Sequence, residues 1–120
     1  MPFKSMLTEL MADVPGASGV ILADWEGEAV EQCCLCDDDY ELKILAAHKG
    51  IILNQMKELH VQLAMGDLTE VVITTAEQHV LIGAVGPEYA LVMTLERNAI
   101  IGPALYRFRR MVSTLQEEIY

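Results

Sequence analysis

Three apolar runs, LTEVVITTA (68–76), QHVLIGAVG (78–86) and YALVMTL (89–95), succeed one another across very short turns, and no other feature narrows the fold as much. Each is rich in β-branched residues, which suit a pleated surface. A parallel crossover needs a dozen or more residues, so turns as short as GPE (86–88) oblige neighbouring strands to run antiparallel. The runs are almost continuously apolar rather than alternating, which predicts a sheet covered on both faces.

Upstream, SGVILAD (18–24) and EAVEQCC (28–34) flank WEG, a hairpin in which Gly27 can take a positive φ. Before it, Phe3, Leu7, Leu10, Met11 and Val14 recur at helical spacing until Pro15 and Gly16 stop the run. The longest helical pattern covers 40–64. Its Leu45, Ile52, Met56, Leu59 and Leu63 fall within about 40° of one line, and Ile44 and Ile51 widen that stripe on one flank. A last helix carries Ile101, Leu105, Phe108, Val112 and Leu115 on one face. Pro103 lacks an N–H and is tolerated only in a first turn, so this helix begins near 100–102, after the loop ERN.

The order α-β-β-α-β-β-β-α predicts an α/β sandwich of the α+β class. A five-stranded antiparallel sheet carries the long middle helix on one face and the two terminal helices on the other. At 120 residues, with no repeat or linker, residues 1–120 are expected to form a single domain.

The chain holds 18 acidic and 8 basic side chains, a net charge of −10. That field repels phosphate backbones and anionic lipid, so neither nucleic acid nor membrane is an expected partner. The basic stretch RFRR (107–110) reads as a solvated helix face. No apolar run approaches the roughly 18 residues of a membrane span. The opening MPFKSMLTELMADVPG contains acids and no long apolar stretch, so a signal peptide is not expected and the reading is cytoplasmic. In that compartment Cys33, Cys34 and Cys36 stay reduced and form no disulfide framework.

Catalytic and metal motifs are absent from the sequence: no phosphate-binding glycine loop, GxGxxG, HExxH or GxSxG occurs. Cys34 and Cys36 would share a face only if the strand continued past 34. Cys33, His48, His60 or His79 would then have to complete the ligand set, and compact CCLC lacks the paired knuckles of structural zinc. Asp37, Asp38 and Asp39 lack the alternation and glycine of a calcium loop. No metal, cofactor or catalytic residue is therefore expected. Gly83 and Gly86 read as structural, and Arg97 as a loop arginine that could at most act as an arginine finger.

Surfaces say more than sites. Opposite the main stripe of the long helix lie Lys43, Ala47, Gly50, Asn54, Lys57 and Val61, where the small residues allow another backbone to approach. The stretch 71–75 is uncharged and free of proline, so at a sheet edge it invites pairing with another chain. Val71, Val72, Ile73 and Thr74, with Ile44 and Ile51, are the expected dimer contacts, and a two-fold dimer would share one continuous sheet.

Three stretches resemble the Roadblock family, named for dynein light chain roadblock and including bacterial MglB-type regulators. They are VPGASGVILADWEGEAVEQ (14–32), GDLTEVVITT (66–75) and ERNAIIGPALYRFRRMV (96–112). The resemblance implies a non-enzymatic homodimer, paired through the central strand and the long helix, that binds a small Ras-like GTPase or other NTPase and modulates its hydrolysis. The GTPase would dock across the paired long helices, at Lys43, Ala47, Gly50, Asn54, Lys57 and Val61. A small-molecule sensor of the PAS or GAF type is the alternative, since those folds also wrap helices around an antiparallel sheet.

Overall fold

The structure is a computed structural model and describes residues 3–24, 29–34 and 69–120. Helix α1 (Phe3–Asp13) leads into strands β1 (Ala17–Asp24) and β2 (Ala29–Cys34); β3 (Glu70–Thr74), β4 (Gln78–Val85) and β5 (Tyr89–Glu96) follow, and α2 (Ile101–Ile119) closes the chain. The helix expected over 40–64 and the turn holding Gly27 lie outside the described residues. The five strands form one antiparallel sheet in the order β2-β1-β5-β4-β3.

The short turns do what their length requires. Gly86 takes φ +65° between β4 and β5, a left-handed conformation that costs a glycine little. Gly16, at φ +87°, ends the segment after α1 and accepts a hydrogen bond from the Glu96 amide at 2.8 Å. This bond fastens the α1–β1 corner to the end of β5. Pro103 sits in the first turn of α2, where its missing N–H has no helical partner to lose.

Both terminal helices pack on one face of the sheet. Leu7 and Leu10 of α1 and Ala104, Phe108 and Leu115 of α2 join Val20, Leu22, Leu81, Val85, Leu91, Met93 and Leu95 in a single buried cluster. Register agrees, because facing residues in an antiparallel ladder share a side and Val20 faces Met93, Leu22 faces Leu91 and Leu81 faces Met93. On the other side Ile21, Val80, Ile82 and Val92 are buried as well, so the sheet is covered on both faces, as its apolar runs predict. The α2 stripe differs from expectation at one point: Ala104 is buried where Ile101, Leu105 and Val112 are only partly so. Ala104 lies near the start of α2, where the helix meets the α1–β1 corner beside Val14 and Gly16.

Candidate interaction surface

The two edges of the sheet are built differently. At the β2 edge the register slips: Leu22 faces Glu31 and Ala23 faces Ala29, so Val30 has no partner in β1. Such a bulge kinks an edge strand and spoils it as a template, and the charged Glu31 adds to the effect. At the β3 edge the ladder is unbroken from Glu70 facing Gly83 to Thr74 facing His79.

Main-chain direction along β3 follows from two hydrogen bonds at its ends. Thr69 O accepts from the Ala84 amide at 2.9 Å, and the Thr75 amide donates to Gln78 O at 2.9 Å. Residues of an antiparallel pair alternate between exchanging backbone bonds and not doing so. Odd positions therefore bond to β4, and Glu70, Val72 and Thr74 turn their N–H and C=O groups outward. No other described strand pairs with them.

The side chains of this edge divide between the two faces. Val71 and Ile73 lie beside Ile82 and Val80 and are half-buried; Val72 lies beside Leu81 on the helix-bearing face and is 40% exposed. Thr74, on that same face, bonds to His79. The four expected dimer contacts in β3 thus line one open edge. The other expected contacts, Ile44 and Ile51, and the partner-binding residues Lys43, Ala47, Gly50, Asn54, Lys57 and Val61 lie outside the described residues.

Two polar links hold this edge to α2, and the sequence reading found neither. His79 is buried, with Nδ1 2.8 Å from Thr74 Oγ1 and Nε2 2.9 Å from the Arg97 carbonyl oxygen. A carbonyl only accepts, so Nε2 carries a proton, and in the neutral ring Nδ1 accepts the Thr74 hydroxyl proton. The ring joins the end of the edge strand to the loop that opens α2. One turn on, Thr75 Oγ1 accepts from the amides of Glu77 and Gln78 at 3.2 and 3.1 Å and fixes the β3–β4 turn.

Arg109 of α2 reaches across to Glu70. Its Nε donates to both carboxylate oxygens at 2.9 and 3.0 Å, and Nη2 donates to Oε1. The Glu70 hydrogen bonds first, and its charge second, raise the Arg109 pKa above its ordinary value. The RFRR stretch is accordingly split: Phe108 is buried in the core, while Arg107, Arg109 and Arg110 face solvent. Arg107 lies 4.0 Å from Asp13 of α1, and Arg110 stacks over Tyr106 at 5.8 Å.

Other candidate sites carry less. A cleft of about 360 Å³ opens at the corner between α1, β1 and α2, lined by the apolar Val14, Pro15, Ala99 and Ile100 and by the polar Glu96 and Asn98. Among the described residues, no three His, Cys, Asp or Glu side chains gather as a metal site, and no helix is long and apolar enough to cross a membrane. Strand β2 is described as far as Cys34, and Cys36 lies outside the described residues. In the ladder Cys33 faces Val20 and Cys34 faces Gly19, at the edge away from β3.

Comparison with known proteins gives the architecture a relationship. The Roadblock/LC7 domain from Streptomyces avermitilis superposes with a TM-score of 0.86 at 16% identity, covering 97% of this chain and 96% of that one. MglB of Myxococcus xanthus gives 0.88 at 16% identity, covering 99% and 95%. The gliding protein MglB from Thermus thermophilus gives 0.83 at 18% identity, covering 94% and 84%. Identities this low establish a shared fold only. No curated protein matches by sequence. The family model of the Roadblock/LC7 domain matches residues 3–95, which span α1, β1 to β4 and all but the last residue of β5, and the chain belongs to the Roadblock/LC7 family.

Proposed function

We propose that this chain is a non-enzymatic regulator or scaffold that forms a homodimer, binds a small Ras-like GTPase or another NTPase, and modulates nucleotide hydrolysis. The observation that carries the reading is the contrast between the sheet's edges. One is bulged and charged; the other presents an unbroken row of outward backbone groups with no charged side chain from Val71 to Thr75. An edge of the second kind is a ready template for another strand. Membership of the Roadblock/LC7 family, with MglB proteins among its fold relatives, supports a regulatory role over a catalytic one.

In this reading residues 1–120 act as a single cytoplasmic domain. Val71, Val72, Ile73 and Thr74 pair with a second copy, helped by Ile44 and Ile51. Lys43, Ala47, Gly50, Asn54, Lys57 and Val61 form the partner-binding face, and activation works by repositioning the GTPase's own catalytic groups.

The test combines sedimentation at micromolar concentration with GTP turnover by a small Ras-like GTPase encoded beside this chain, measured with and without it. A dimer that raises turnover supports activation, and a dimer that binds without changing turnover supports a scaffold. A dimer with neither binding nor rate change sinks the regulatory reading for that GTPase. A monomer sinks the dimeric one.

A further inference from the structure

We infer that the groove between α1 and α2 docks an amphipathic helix of a partner protein, one whose apolar stripe carries basic residues along one flank and acidic residues along the other. The inference stands apart from the dimeric and GTPase readings above and uses none of their residues.

The groove has an apolar floor. Leu10 of α1 is buried there, with Met6 of α1 and Met111 of α2 half-buried beside it. Its walls are charged and exposed: Glu9 and Asp13 stand on α1, and Arg107 and Arg110 on α2. Helical spacing produces this arrangement, because residues three or four positions apart share a face and each set recurs at such steps. The α1 wall is therefore acidic and the α2 wall basic. The RFRR stretch divides its bases accordingly, since Arg109 reaches Glu70 at the sheet edge while Arg107 and Arg110 line the groove.

These charges are available to a partner. Arg107 meets Asp13 at 4.0 Å with both side chains about half exposed. A pair so exposed contributes little and can be exchanged for pairs with another molecule. Among the described residues Glu9 and Arg110 form no ion pair, and the Tyr106 ring steadies the Arg110 guanidinium instead.

Size and chemistry select the occupant. At about 260 Å³ the groove falls below the roughly 300–1,000 Å³ of pockets that enclose a small ligand, and it suits the anchoring side chains of a helix laid along it. Methionine side chains adapt to such anchors, which an amphipathic helix presents at i, i+3 or i+4, and i+7. Walls of opposite sign call for a helix with divided flanks. They also fix its direction, because turning it end for end sets like charges against each other.

Two designed peptides with one composition and one leucine stripe test this. Each has about 18 residues, above the roughly 12–15 below which isolated helices are marginal. The first carries Lys along one flank and Glu along the other; in the second, Lys and Glu alternate on both flanks. Fluorescence anisotropy against the full chain is expected to give a Kd about tenfold lower for the divided peptide, with the gap closing at high salt. A chain carrying both Arg107→Glu and Arg110→Glu is expected to lose that preference, and Arg109→Ala to keep it. Equal binding of the two peptides to the unaltered chain overturns the role of the charged walls, and binding of neither overturns the docking. A preference that survives in the double variant places the site elsewhere and overturns the inference as well.

Discussion

Gly83 of β4 lies directly beneath Phe108 of α2: a Cβ on the glycine would stand 2.9 Å from the ring Cε1 and 3.1 Å from Val112 Cγ2. The absence of a side chain is what lets α2 settle onto the sheet at this point. Gly83→Val is expected to lower stability by about 1–3 kcal/mol through overpacking. Phe108→Ala, at a buried position, is expected to cost about 3–5 kcal/mol. Denaturant midpoints measure both. The two sites also couple, so Gly83→Ala should cost less in a Phe108→Leu background than alone; strict additivity would show that the helix does not rest on this glycine.

His79 is buried and ties together two exposed residues, through the Thr74 hydroxyl and the Arg97 carbonyl. His79→Ala removes both hydrogen bonds, and because Thr74 and Arg97 are exposed and can turn to water, each loss is expected to cost about 0.5–1.5 kcal/mol. Hydrogen exchange should quicken first at residues 74–78 and at the start of α2. Uniform acceleration across the sheet would contradict a local tie.

The Arg109–Glu70 pair is bidentate but solvent-facing, with Arg109 59% exposed. Exposed pairs contribute little and are screened by salt. Arg109→Ala is expected to give a small loss of thermal stability that disappears at high ionic strength. Arg109→Lys should behave more like alanine than like arginine, because a lysine cannot supply the planar fork. A large, salt-independent loss would mean that the arginine acts through packing.

Val72→Pro removes an outward N–H and leaves the hydrogen bonds to β4 untouched, so the variant should fold with near-native stability. Sedimentation should then report a monomer. Ile73→Pro, at a position whose N–H is engaged with β4, should instead destabilise the fold. A fully dimeric Val72→Pro chain would show that self-association does not use this edge.

Much of this fold was legible because its signals are local. The β4 and β5 runs end where their turn residues begin, and Pro103 places the start of α2 correctly. Strand β3 is shorter than its apolar run, since the Thr75 hydroxyl closes the turn where the apolar pattern would have continued the strand. The covered sheet followed from apolarity and the antiparallel pairing of neighbours from turn length, whereas the edge position of β3 was only a condition and the strand order was not read from the sequence. The ties between the edge and α2 were not read either. Glu70 and Arg109 are 39 residues apart, and nothing in either neighbourhood announces the other. The Thr74–His79 bond was accessible in principle, because a hairpin closing at 75–78 sets those two residues face to face. The proposed partner-binding residues at 43–61 were read from periodicity together with the family resemblance, and they lie outside the described residues.

The unpaired Val30 in β2 bears on how large an assembly can become. A sheet with two good edges is a building block for an endless ribbon, since each added copy offers a fresh end. Here the second edge carries an extra residue that bends it out of line, so a strand that pairs at β3 finds no equivalent seat at β2. Growth by edge pairing then halts after one step. In the proposed dimer two copies would close the structure, and a concentrated solution of this strand-rich chain would then be kept from running on into fibres.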